Sequence, residues 1–323
     1  WPGVERRAAM AESHAACLSL IVVLAAVLAD IGWVLIEPAL GVPAMLVALM
    51  AQVAVVAEKH RVREDGMVHE WAQSAWILGA AVWMCSEYLW GDGLRVAAFA
   101  DRLTGGDRAD ASFKADVLGN RELYPASLLI ACLTLWTTLA ALVAVLMHRE
   151  LWRWRCGVAK PPRDASEDLV LGLPMHIYCD LWFAPWLFME ACWAVNDLQM
   201  VLHWGVRPLF WLGVAGGLAA VLLCADCVQR YVQRQRHAEA VLCSAHLAWV
   251  AGNFAWYVFD VERAGESQAA RAVPVSLFLM AIAFLGLSAL LEAPEPRMAA
   301  AMCKEKTPLS ERTPLLAPCS SCA

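Results

Sequence analysis

Charge is scarce in this chain: Asp, Glu, Lys and Arg make up 17% of its residues, against roughly 25% in ordinary soluble domains, while 60% are hydrophobic. That balance excludes a water-soluble globular domain. Lysine is scarcer still, and Lys59, Lys114, Lys160, Lys304 and Lys306 all fall outside the long apolar runs. A retinal protein needs a lysine within a span for its Schiff base, so retinal as a cofactor, and with it microbial-type rhodopsin chemistry, is excluded. The chain also lacks an H-E-x-x-H pair, a phosphate-cradling glycine loop, a nucleophile elbow and histidine pairs at matched depth for a haem. No basic surface interleaved with aromatics is present, which removes nucleic acid as a partner. The apolar runs show no strict alternation, so a β-barrel is not expected. The 12 cysteines follow no disulfide framework and stand mostly within apolar runs, as small apolar residues. Cys224-x-x-Cys227 is a weak redox motif inside a helix, and Cys319 and Cys322 are open to lipidation or to remaining reduced thiols.

What the chain has is length of apolar sequence. Eight stretches of about 20 residues or more have the spacing of membrane helices: 15–36, 39–57, 70–90, 124–147, 173–200, 208–228, 239–259 and 272–292. The expected class is an all-α polytopic membrane protein with the lipid bilayer as its solvent, the fifth span tilted or kinked at Pro185. The first run is longer than a signal-peptide core and lacks a small-residue cleavage site, so it reads as a span. Residues 1–14 then form a leader, within which Met10 is a credible start.

The second half of the chain echoes the first. Ala75-Trp76-x-x-Gly79-x-x-x-Trp83-x-x-x-Glu87 returns as Ala248-Trp249-x-x-Gly252-x-x-x-Trp256-x-x-x-Asp260, and Asp30-x-x-Trp33-x-x-x-Glu37 as Glu190-x-x-Trp193-x-x-x-Asp197. Pro125-x-Ser127-Leu128 is answered by Pro274-x-Ser276-Leu277, and Gly41-Val42-Pro43 more loosely by Gly205-Val206-Arg207-Pro208. The expected organisation is therefore a first four-helix repeat over 15–147, a linker over 148–172, a second four-helix repeat over 173–292 and a disordered tail over 293–323.

Basic residues cluster after the second, fourth and sixth spans: Lys59, Arg61 and Arg63, then Arg149, Arg153, Arg155, Lys160 and Arg163, then Arg230, Arg234 and Arg236. By the positive-inside rule those loops, the leader, the linker and both termini are cytosolic, although the 91–123 segment dissents with five basic residues among six acids. Each four-span repeat then enters and leaves on one side, so the halves are parallel about an axis along the membrane normal.

On this topology Glu37, Glu87, Asp197 and Asp260 lie at the non-cytosolic helix ends, with Asp30 and Glu190 about two turns deeper. Acids and indoles recur at i, i+3, i+4 or i+7, one stripe of each helix, and intramembrane acids face protein or water because lipid exposure costs roughly 2.5–3.5 kcal/mol. Gly79 and Gly252 share that stripe and are expected to admit a neighbouring backbone. The bland alternative is that outer acids and indoles are interfacial anchors. The sharper one makes Asp30 and Glu190 a protonatable or cation-binding pair, Trp33, Trp193, Trp83 and Trp256 its walls by cation–π attraction, and Glu87 and Asp260 its outer ring, with Glu37 and Asp197 as further candidate binding residues.

Asn253 stands where the first half has Ala80 and suits hydrogen bonding between helices, while Asp226 and Arg230 suit a snorkelling ion pair. His176, Asp180 and His246, at comparable depth, are the residues that would have to converge to hold a metal. The expected function is a secondary transporter or channel-like carrier for protons, metal ions or a small cationic solute. A membrane-embedded metal enzyme, or a non-catalytic interaction or sensor protein working through the 91–123 loop or the tail, are the alternatives.

The tail carries Pro294, Pro296, Pro308, Pro314 and Pro318 among Ser, Thr, Lys and Glu, a composition that stays solvated. Within it, Glu311-Arg312-Thr313-Pro314-Leu315-Leu316 resembles the acidic dileucine signal that clathrin adaptors read on cytosolic tails. The resemblance covers only Glu311, Leu315, Leu316 and the residues between; it implies clathrin adaptors as partners and an endosomal, lysosomal or vacuolar membrane as the address, with the plasma membrane as the alternative.

Overall fold

In lipid a backbone has no water to bond, so long apolar runs must close their hydrogen bonds within the segment, as helices do. The computed structural model describes residues 2–61, 68–90, 123–155, 169–170, 173–202, 208–261 and 268–292. Its helices are α1 (Pro2–Val34), α2 (Pro38–Arg61), α3 (Val68–Trp90), α4 (Leu123–Arg155), α5 (Met175–Asp180), α6 (Phe183–Val201), α7 (Pro208–Gln233), α8 (His237–Val261) and α9 (Gln268–Glu292). Two two-residue strands, β1 (Leu169–Val170) and β2 (Leu173–Pro174), pair antiparallel ahead of α5.

Six helical segments are long and apolar enough to cross a membrane: His14–Val34, Pro38–His60, Leu123–Val145, Leu209–Gln233, His237–Val261 and Ala270–Leu291. The chain is an integral membrane protein. Helices α3 and α6, which the sequence marks as spans, are not among the six; His69, Glu70, Gln73 and Glu87 dilute α3, and Glu190, Asn196 and Asp197 dilute α6. They carry much of the polar interior.

Long helices pack in chain order, α1 on α2, α2 on α3, α3 on α4, α4 on α6, α6 on α7, α7 on α8 and α8 on α9, and α9 returns to α1. Their burial differs by position. The most apolar windows of α1 and α8 are 50% and 44% buried, whereas those of α4 and α9 are 28%. Helices α2, α4, α7 and α9 turn Leu46, Met50, Ile130, Leu133, Trp211, Leu222, Leu279 and Leu290 outward, apolar faces that lipid covers without cost. Helices α1, α3, α6 and α8 supply the inner layer, and most of their large fully buried side chains are aromatic: Trp83, Trp186, Trp193, Tyr88, Tyr257 and Phe183.

The expected kink of the fifth span is a full break. Helix α5 stops at Asp180 and α6 begins at Phe183, placing Pro185 in the first turn, where its missing N–H costs nothing. Short-range bonds from Leu181 N to Tyr178 O (3.1 Å) and Ala184 N to Leu181 O (3.3 Å) carry the chain across. At the same level Asp226 on α7 accepts from Tyr178 Oη (2.6 Å) and from Arg230 Nε (2.5 Å). The anticipated ion pair therefore also fastens α5 to α7.

Between α1 and α2 the turn at 35–37 brings two glycines together. A Cβ on Gly32 would lie 2.4 Å from the backbone nitrogen of Gly41, and Tyr88 Oη donates to the Gly32 carbonyl at 3.0 Å. The expectation that Gly79 and Gly252 admit a neighbouring backbone is met differently, because side chains occupy the space. Leu135 of α4 lies 3.3 Å from a Cβ built on Gly79, and Phe278 of α9 lies 2.4 Å from one on Gly252. Large apolar side chains on the outer helices use the notches the glycines leave.

Candidate functional site

The sequence spacing that puts indoles and acids on one stripe of each inner helix becomes, in three dimensions, a set of alternating levels. At the C-terminal ends of the inner helices, Trp33 on α1 donates to Glu87 Oε2 on α3 at 2.7 Å, and Trp193 on α6 donates to Asp260 Oδ2 on α8 at 3.0 Å. The two bonds are counterparts of each other, because the sequence matches Trp33 with Trp193 and Glu87 with Asp260. Trp83 donates to Glu87 Oε1 (2.9 Å) and Asp197 Oδ2 (3.0 Å). The four helices therefore run in the same direction and bring their acids to one end.

Below this acidic level the rings of Trp33 and Trp193 lie parallel, 5.9 Å apart with 3° between planes, and Trp83 meets both edge-on at 5.0 and 5.2 Å. Edge-to-face contact sets the positive rim of one ring against the negative face of the next. Trp256, the counterpart of Trp83, is buried, and its N–H has no hydrogen-bond partner among the described residues.

One level deeper lie Asp30 and Glu190, both buried and near enough that the charge of Asp30 acts on Glu190. Asp30 Oδ2 accepts from Trp249 Nε1 at 2.7 Å and from Asn253 Nδ2 at 3.1 Å. Asn253 thus bonds between helices, and its partner is the acid itself. Glu190 Oε1 is buried with no hydrogen-bond partner among the described residues. Asn196 on α6 and Tyr257 on α8 bond at 3.1 Å, adding a further tie between those helices.

Beneath the pair a second indole level closes the bundle. Trp76, Trp186 and Trp249 meet with ring centroids 4.7, 5.3 and 5.7 Å apart, and Trp182 packs against Trp186 and Trp249. The sequence displayed Trp76 and Trp249 within its longest matched stretch, but their step of seven residues ahead of Trp83 and Trp256 was the signal for this second level. Trp182 and Trp186 have no such repeat partner.

On the far side of that level lies a cavity of about 730 Å³, reached by Gln52, His69, Gln73, Asp180 and His246 and by the Lys59–Glu70 ion pair. His69 packs edge-on to Phe183 and His246 against Trp182. Of the three residues considered for a metal, Asp180 and His246 share this cavity, and the side chain of His176 lies outside what the structure describes. Among the described residues no three His, Cys, Asp or Glu side chains gather as a metal site.

Glu37 stands apart from the central levels. It is half-buried in the α1–α2 turn, where its Oε1 accepts from Ala39 N at 3.3 Å and its carbonyl accepts from Gly41 N at 3.0 Å. Glu311, Leu315 and Leu316, the 91–122 loop, and Cys319 and Cys322 lie outside the described residues. Comparison with protein-family models, curated proteins and solved structures finds no match.

Proposed function

We propose that this chain is a secondary transporter or channel-like carrier for protons, metal ions or a small cationic solute. In this reading it has eight spans in two parallel four-helix halves, and both termini are cytosolic. Helices α3 and α6 cross the membrane shielded by the outer helices, which is how segments with acids can sit at membrane depth. The observation that carries the reading is the placement of Asp30 and Glu190: two acids from matched positions, buried within electrostatic reach of each other, between two levels of tryptophan. Acids that serve only as interfacial anchors belong in contact with headgroups or water, whereas Asp30 and Glu190 are buried inside the bundle. The Glu87, Asp197 and Asp260 level forms a mouth on one side, and the cavity beside His69 and His246 forms a vestibule on the other. In this reading an arrangement with both indole levels in ring contact is an occluded one. If Glu311, Leu315 and Leu316 act as an adaptor signal, the acidic mouth faces an endosomal, lysosomal or vacuolar lumen.

The test is cation flux into vesicles containing the purified full chain, at acidic and at neutral pH on the side of the acidic mouth. An Asp30→Asn, Glu190→Gln double variant that still extracts as a single folded species should lose flux. Unchanged flux in that variant overturns the assignment.

The shared cavity of Asp180 and His246 supports a second reading, a membrane-embedded metal enzyme. Stoichiometric metal in the purified protein that disappears in His246→Ala would favour it over the carrier.

A further inference from the structure

Asp30 and Glu190 hold matched positions in sequence but have unlike surroundings. Asp30 Oδ2 takes two donors, the indole of Trp249 at 2.7 Å and the amide of Asn253 at 3.1 Å. Their counterparts in the first half are Trp76 and Ala80. Ala80 has no donor to offer. The buried N–H of Trp76 has no hydrogen-bond partner among the described residues, and neither has Glu190 Oε1, on a side chain 4% exposed. Burying a carboxylate oxygen without a donor penalises the charged form, and a neutral carboxylic acid removes that penalty.

We infer that Glu190 is the proton-carrying member of the pair and that the proton is the species moved, an inference that rests on the carrier reading above. A metal ion needs several oxygen or nitrogen acceptors around it. The two side chains bonded to this pair, Trp249 and Asn253, both turn N–H donors toward Asp30, and apart from the two carboxyls the hydrogen bonds there supply no oxygen acceptor among the described residues. The indole levels above and below, with centroids 4.7–5.9 Å apart, would have to separate widely for a hydrated or organic cation to pass. A proton needs only a thread of water.

The inner and neighbouring helices carry further titratable groups, among them Glu87 and Cys85 on α3, Cys192 and Asp197 on α6 itself, Asp260, Tyr257 and His246 on α8, Cys132 on α4 and Cys224 on α7. Of these and Asp30, it is Asp30 whose charge acts on Glu190. Asp30 has two donors, Trp249 and Asn253, that favour its charged form; its charge favours a proton on Glu190, which accepts it. In loading, hydronium on one side gives its proton to the Glu190 carboxylate and leaves as water. In release, the Glu190 O–H gives that proton to water on the other side, forming hydronium. No bond between heavier atoms changes, and no electron is transferred.

The test uses the full chain in sealed phosphatidylcholine vesicles with a trapped pH dye, a potassium–valinomycin clamp and an imposed pH gradient. The wild-type protein should collapse the gradient with no metal or organic cation present. Glu190→Gln should slow the collapse about tenfold or more, as expected when a relay carboxyl is removed, and Glu190→Asp should retain part of it. Ala80→Asn, which supplies the missing donor and leaves the carboxyl in place, should also slow it. An infrared C=O band of a protonated carboxyl, present in the wild type and lost in Glu190→Gln, reads the same assignment without flux. Unchanged collapse in Glu190→Gln, or absence of that band, overturns the inference. Uptake of a metal or organic cation while the pH gradient persists overturns it and leaves the carrier standing; no flux of any cation removes both.

Discussion

The indole N–H of Trp249 reaches Asp30, 219 residues earlier in the chain, at 2.7 Å. This bond ties the first inner helix to the last and gives Asp30 a donor that Glu190 Oε1 lacks among the described residues. Trp249→Phe keeps the ring and removes the donor. It should destabilise the folded protein by about 1.5–3 kcal/mol, the range for a hydrogen bond to a charged group. The loss should appear as a lower thermal midpoint in detergent. Asn253→Ala should cost less, because its 3.1 Å bond is to the same oxygen and is longer.

The bonds Trp33–Glu87 and Trp193–Asp260, at 2.7 and 3.0 Å, occupy corresponding places in the two halves. Double-mutant cycles with Trp→Phe and acid→amide changes should give a coupling of about 0.5–3 kcal/mol within each pair. The crossed combination of Trp33 with Asp260 should couple more weakly than either direct pair. Equal coupling in all combinations would show that the indole level acts as one undivided block.

Gly32 and Gly286 give a contrast in packing. A Cβ on Gly32 would press on backbone atoms of Gly41 at 2.4 and 2.6 Å, and backbone cannot rotate away, whereas a Cβ on Gly286 meets nothing within 4 Å. Gly32→Ala should destabilise by about 1–3 kcal/mol or more, as overpacking does. Gly286→Ala should be neutral or slightly stabilising through helix propensity. Thermal unfolding of the two variants side by side checks both.

The tail makes a cellular prediction. Leu315→Ala with Leu316→Ala should move the protein from internal membranes to the cell surface without altering flux per molecule in vesicles. Unchanged distribution in imaging would show that the six residues resemble an adaptor signal without serving as one.

The helical class and the polar stripe were legible in the sequence because both follow from periodicity: apolar runs of span length, and acids and indoles at three-, four- and seven-residue steps. The matched positions of Asp30 and Glu190 also pointed to a buried pair. What the sequence did not display was the partnering. Asn253 read as a general helix-to-helix donor and proved to be a ligand of Asp30, a relation that needs α8 placed against α1. The break before Phe183 was hidden as well, since Pro185 in an apolar run is compatible with either a kink or a helix start. Trp186 had no matched counterpart, so nothing local separated it from an ordinary core residue, and only the convergence of α3, α6 and α8 gives it a role.

The parallel rings of Trp33 and Trp193, with Trp83 edge-on to both, have an optical consequence. Chromophores this close share their excitation, so the trio contributes a coupled component to the near-ultraviolet circular dichroism, alongside that of Trp76, Trp186 and Trp249. Any rearrangement that parts α1 from α6 dissolves that shared spectrum. The molecule thus carries its own label for the opening of the bundle, in place before any probe is attached.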